Sequence, residues 1–241
     1  MPLPGKTRDG QDTYEPDDPL WGHQWYMHGI PGISLEPGTV WARGTNGHGV
    51  RIGIVDDGLD WRHPDFAGHY LAESSYDIND NDNDPTPGIY DDHGTAAAGV
   101  AAAANNSFCI SGNYLSNLLL FQQPLPPTGV APGAGVAGIR LLARDVTDAD
   151  EARALAYGNL DIYSCSWGPA DDGQRLEGPG PLLTDTLEAG ANQGRGGLGS
   201  IFVWASGNGR GSGDSCNYDG YANGRYTVPI GAMNAVGKQA W

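Results

Sequence analysis

Three residues have the types and settings for acyl-transfer chemistry. Asp56 closes an apolar run, residues 50–56 (VRIGIVD), and Gly58 releases the chain just after it. A carboxylate there can hold an imidazole in one tautomer, or it can be a turn residue only. His93 precedes Gly94, Thr95 and an Ala-rich stretch with the composition of a helix. An imidazolium at a helix N-terminus opposes the macrodipole, so the pKa of His93 is expected to fall, leaving the neutral ring that a general base needs. Asn208 lies past another apolar run, in Ser-Gly-Asn-Gly. Its amide can close a turn or donate to a developing oxyanion. Two further stretches carry less. Residues 79–84 (NDNDND) begin like an EF-hand loop, but the required Gly is missing and position 12 falls on Asp91 instead of Glu, so a solvated turn is expected. Residues 207–213 (GNGRGSG) do not spell G-x-G-x-x-G, and no strong helix former follows them.

The elements that would position these residues are readable as short apolar runs. Five segments read as buried strands: 50–56, 136–142, 162–167, 200–205 and 226–232. Most are continuous instead of alternating, as parallel strands covered on both faces are. Helical stretches fall between them at 94–104, 147–157 and 182–192, the second opening with Thr147 and Asp150 as a capping box. Strand and helix in alternation predict an α/β fold with a doubly wound, mostly parallel central sheet. Sites in such sheets lie outside the carboxyl ends of the strands. Those ends are Asp56-Asp57, residues 166–172 and residues 206–209. Residues 1–20 read as an extended lead-in, and the aromatic WGHQWY run at 21–26 as its anchor on the domain 21–241. Residues 111–128 have no clear period, end Pro-rich, and read as an insertion.

The 241 residues include 29 acidic and 13 basic ones, a net charge of −16. That charge argues against nucleic acid or an anionic membrane as the main partner and favours cations. Gly and Pro are abundant (38 and 17), while charged residues make up only 17%, so tight turns are expected and charge-driven disorder is not. No apolar run approaches the roughly 18 residues of a membrane span. The opening residues lack the apolar stretch of a secretory signal, which leaves a cytosolic protein or a chain without its natural start.

Asp at one strand end, His opening a helix, and Asn beyond a later strand follow the chain order of the subtilisin type. The stretch 54–60 (IVDDGLD) with His63-Pro64-Asp65 resembles the aspartate motif of the subtilases, and Asp92-His93-Gly94-Thr95 resembles their histidine motif. Residues 163–173 (YSCSWGPADDG) and 214–221 (DSCNYDGY) are narrower and resemble the kexin/furin branch, calcium-dependent proprotein convertases that cut after paired basic residues. The resemblance implies roles. Asp56 would orient His93, His93 would take the proton of a serine nucleophile, and Asn208 would donate to the oxyanion. Asp57 and Asp91 would face a basic side chain next to the cut. Asp171 and Asp219 would line the pocket for the Arg immediately before it. Glu151 and Glu177 would favour a basic residue further back. Asp18, Asp65 and Asn106 would hold one calcium ion, and Asp171 with Asp214 part of a second. Basic protein or peptide substrates, the protein's own prosegment as partner, and the secretory pathway as location are implied in the same way.

The sequence departs from the family pattern in several places. The serine motif G-T-S-x-x-x-P is absent, so the chain reads as the N-terminal two-thirds of a peptidase domain, incomplete at the C-terminus. The alternative is a catalytically inactive relative that binds basic peptides. Ala96-Ala97 stand where the family usually has Arg-Cys. The resemblance further implies that Cys109 and Cys216 pair with cysteines beyond Trp241. Cys165, inside an apolar strand, is expected to be a buried free thiol.

Overall fold

The computed structural model describes residues 6–8, 11–16, 18, 20–106 and 128–240. Among the described residues the strands are β1 (Lys6–Arg8), β2 (Gln11–Thr13), β3 (Arg51–Asp56), β4 (Tyr76–Asp77), β5 (Gly135–Arg140), β6 (Ile162–Cys165), β7 (Ile201–Ala205) and β8 (Thr227–Ile230). The α-helices are α1 (Gly38–Trp41), α2 (His93–Ala102), α3 (Asp148–Ala156) and α4 (Pro181–Gly197). Six strands form one sheet in the order β4-β5-β3-β6-β7-β8, and every pairing in it is parallel. This is the doubly wound sheet expected from the apolar runs. The difference lies at the ends: each of the five expected strands loses one or more residues, while β5 begins one residue earlier than expected, at Gly135.

β3 lies at the centre, buried along almost its whole length. Its alternate residues enter two separate clusters, as a pleat with a period of two requires. Val55 packs with Ile139, Leu155, Leu160, Phe202 and Trp204 on the side of α3 and α4. Ile52 and Ile54 pack with Phe66, Ala98, Ala102 and Val136 on the side of α2. The small side chains of α2 let it lie close on the sheet. α3 carries the expected capping box: the Thr147 hydroxyl accepts from Asp150 N, and the Asp150 carboxylate accepts from Thr147 N. α4 leaves helical geometry at Gly194, Arg195 and Gly196, a run in which two glycines permit the break.

Two features lie outside the expectations. β4 is a sixth strand of two residues, too short to give a pattern. In the lead-in, β1 and β2 pair antiparallel, apart from the main sheet. Its anchor is the expected aromatic one: Trp21, Met27 and Trp41 form a third buried cluster, joined by Tyr14 and Tyr26. Gln24 Nε2 and Trp41 Nε1 donate to the carbonyls of Thr128 and Val130 at 3.0 and 3.1 Å. Of the segment 111–128, only Thr128 lies among the described residues. Residues 79–84 fold as a turn in which the Asp77 carboxylate accepts from the N–H groups of Asn79 and Asp80 at 2.7 and 2.9 Å.

Candidate active site

β3 ends at Asp56, whose side chain is 2% exposed. Its Oδ1 and Oδ2 lie 2.9 and 3.0 Å from Nδ1 of His93, the first residue of α2. The approach needs a glycine next in the chain. A Cβ on Gly94 would stand 2.2 Å from the Gly58 carbonyl oxygen and 2.8 Å from Asp56 Cβ. With Nδ1 held, Nε2 is left for a substrate or nucleophile, and the imidazole remains 59% exposed. The pKa of His93 is raised, against the expected fall. The hydrogen bond to Asp56 is the largest cause, opposed by desolvation and aided by the charges of Asp56, Asp57 and Asp92. A short bond to a carboxylate outweighs the partial charge at a helix end, which is about half a unit charge.

Asp57 is committed to the protein itself. Its Oδ1 accepts from Gly94 N at 2.7 Å and its Oδ2 from His93 N at 3.1 Å. It thereby satisfies two of the N–H groups that the start of α2 leaves free. Burial raises its pKa, and those two bonds partly offset the rise. Asp91 is also engaged: its Oδ2 accepts from Gly88 N at 3.1 Å and lies 3.4 Å from Nη2 of Arg140.

A cavity of about 310 Å³ opens beyond the ends of β6 and β7. Asp171, Asp214 and Asp219 line it. The Asp219 carboxylate accepts from Tyr221 N and Ala222 N at 2.8 and 3.1 Å. Burial raises its pKa, and the charges of Asp171 and Asp214 raise it further. Gly209 makes room for the group: a Cβ there would meet Asp214 Cβ at 2.4 Å and Asp171 Cβ at 3.1 Å. Arg175 and Arg210 border the same cavity, two cations that the sequence reading had not placed there. Asn208 follows β7 and is exposed on the same rim. β6 separates β7, after which Asn208 follows, from β3.

Glu151 is 7% exposed and lies under Tyr221, whose hydroxyl donates to Oε1 at 3.1 Å. Burial raises its pKa. Glu177 is exposed and forms a backbone bridge with Asp219. The tyrosine was missed because nothing in a local motif joins positions 70 residues apart.

Asp65 is fully buried and Asp18 is 6% exposed. Asn106 Nδ2 donates to Asp65 Oδ1 at 2.8 Å, and Thr128 Oγ1 donates to Asp18 Oδ2 at 3.2 Å. Asp65 Oδ2 has no hydrogen-bond partner. Burial pushes the Asp65 carboxyl up to about 7, the Asn106 bond opposes this, and the Asp18 charge adds to it. Among the described residues, no group of three or more His, Cys, Asp or Glu side chains is arranged to hold a metal. Cys165 is a buried free thiol with its pKa well above the usual range, chiefly through desolvation. Cys216 is free and exposed, and Cys109 lies outside the described residues. No helix among those residues is long and apolar enough to cross a membrane.

The profile of the Subtilase family (Peptidase S8) matches residues 47–240. Human furin is 44% identical over 98% of this chain, which covers 29% of furin. Rat proprotein convertase subtilisin/kexin type 6 is 43% identical over 98% of the chain, which covers 25% of that protein. The chain thus spans less than a third of the length of these relatives. The crystal structure of the Aeromonas sobria serine protease with its chaperone superposes with a TM-score of 0.74, over 99% of this chain and 44% of that one, at 24% identity. The matched profile includes the strand that ends at Asp56, the helix that His93 opens, and the acidic cavity, and the chain belongs to the subtilase family.

Proposed function

We propose that the chain forms part of a serine endopeptidase that cleaves proproteins after paired basic residues, in the secretory pathway and with calcium. The observation that carries this reading is the His93–Asp56 pair, 2.9 Å apart on the rim that also holds the acidic cavity. In this reading Nε2 of His93 takes the proton of a serine hydroxyl as it attacks the scissile carbonyl. Asp56 keeps the ring in the required tautomer and stabilises the imidazolium, and Asn208 donates to the oxyanion. Residues 1–241 contain no G-T-S-x-x-x-P motif, so the serine would come from a further segment. A second reading, an inactive binder of basic peptides, is supported by the acidic cavity lined by Asp171, Asp214 and Asp219. A protein in which residues 1–241 continue into a serine-bearing segment should cleave Arg-Arg peptides far better than peptides with Leu before the cut. Equal cleavage of the two would end the dibasic reading, and a transcript that stops at codon 241 would favour the binder.

The chemistry of these oxygen donors fits calcium. Asp18, Asp65 and Asn106 would hold one ion and Asp171 with Asp214 part of another, all hard oxygen donors. Asp65 Oδ2 is buried, lacks a hydrogen-bond partner, has only His63 Nδ1 at 3.5 Å as an ion-pair contact, and feels the charge of Asp18, which supports the first of these. The ion would neutralise the pair and tie the lead-in to residues 65 and 106. The Asp65 pKa, raised from about 3.9 in an unfolded chain to about 7, favours the protonated acid in the metal-free fold. The stability it contributes is complete below about pH 4 and is lost as pH rises through about 7. Calcium binds the carboxylate and should reverse that trend. With chelator, the melting temperature is expected to fall between pH 5 and 8. With calcium at a hundred times Kd, the fold gains about 2.7 kcal/mol and the fall disappears. Superimposable melting curves in calcium and chelator across that range would rule the site out.

A further inference from the structure

Arg140 ends β5 and is the register partner of Asp56 across the sheet. Its side chain is only 13% exposed. Its donors reach three separate segments. Nε donates to the Asp57 carbonyl oxygen at 3.2 Å. Nη1 donates to Asp77 Oδ2 at 2.8 Å and Asp80 Oδ2 at 3.0 Å. Nη2 lies 3.4 Å from Asp91 Oδ2. The first contact fixes the peptide after Asp57, whose carboxylate in turn holds the N–H groups of His93 and Gly94. The last fixes the loop two residues before His93. Both supports of the imidazole therefore meet in one planar, five-donor group. An ammonium, a single point of charge, cannot span those directions.

We propose that Arg140 is a positioning residue for the His93–Asp56 pair, clamping the Asp57 peptide and the loop from Asp77 to Asp91 so that Nδ1 meets the Asp56 carboxylate. The role rests on the reading of that pair as the peptidase base.

A merely structural or charge-balancing role predicts a different result from a positioning one. Removing a nearby positive charge raises an imidazole pKa. Loosening the bond to Asp56, the main cause of its elevation, lowers it. Arg140→Lys keeps the charge and loses the fork, so it isolates the second effect. The His93 pKa is read by long-range proton–nitrogen NMR of the whole chain, with the signal assigned by its loss in His93→Ala. In Arg140→Lys it should fall by roughly half a unit or more toward the ordinary value near 6.5, while the melting temperature stays within a few degrees. Arg140→Gln should fall less, because the lost charge pulls the other way. Should the Lys variant not fold, the low-field Nδ1–H proton of His93 in Arg140→Gln decides, because it reports the bond to Asp56 directly: its loss or upfield shift supports the role, and an unchanged position overturns it. An unmoved or raised His93 pKa in Arg140→Lys overturns the role. Neither a serine nor a substrate enters the measurement, so that outcome leaves the peptidase reading standing. Failure of the serine-bearing protein to cleave leaves this one standing.

Discussion

Asp56→Asn is expected to lower kcat by about ten-thousandfold in the serine-bearing protein, with KM little changed. The substitution is close to isosteric, and its remaining Oδ1 can still accept from Asp57 N, as the carboxylate does now at 2.8 Å. The fold should therefore survive. The interaction with the ring changes in kind. The carboxylate accepts from Nδ1–H, which leaves Nε2 free to take a proton. An amide NH₂ turned toward Nδ1 would favour the other tautomer, whose Nε2 already carries hydrogen. The positive ring formed during attack would also lose its counter-charge. Because the bond to Asp56 is the first cause of the raised His93 pKa, that pKa should fall in the same variant. Kinetics on an Arg-Arg peptide and an NMR titration check the two together. More than a tenth of the original kcat in a correctly folded variant would remove Asp56 from the mechanism.

The second large effect is expected at Asp219. Its carboxylate faces the cavity with Asp171 and Asp214, whose charges bear on Asp219 where burial already penalises its own. An incoming guanidinium relieves the repulsion and can bond in a bidentate way, so Arg should exceed Lys immediately before the cut. Removing one partner of a desolvated charge pair costs roughly 2–5 kcal/mol, about thirtyfold to several thousandfold. Asp219→Asn retains an oxygen for the N–H groups of Tyr221 and Ala222 and should keep the local turn. It should lower kcat/KM for an Arg-Arg peptide by at least about tenfold, since Arg175 and Arg210 on the same border already dilute the field. Glu177→Gln, at an exposed position, should cost much less and lose its effect in salt. Equal losses from the two variants would place the specificity in the general charge of the surface instead of in this pocket.

Much of this protein was legible along the chain. Continuous apolar runs announce β3, β5 and β7, because a strand covered on both faces needs no polar alternation. The capping box of α3 was legible for the same local reason: Thr147 and Asp150 are three positions apart. Asp56 and His93 could be paired by their motifs and by the rule that sites gather at strand ends. Only the tertiary structure decided what those side chains do to each other. The expected fall in the His93 pKa considered the helix start alone, and the group that reverses it is 37 positions away. Asp57 appears in sequence as a bare carboxylate, yet the fold spends both its oxygens on the N–H groups of α2. Asp91 acquires Arg140 from 49 positions away, and Glu151 acquires Tyr221 from 70. Backbone elements follow from the local pattern of apolar and turn residues. The charge state and availability of an acidic side chain depend on which distant donors the parallel sheet brings within about 3 Å, and no local pattern carries that.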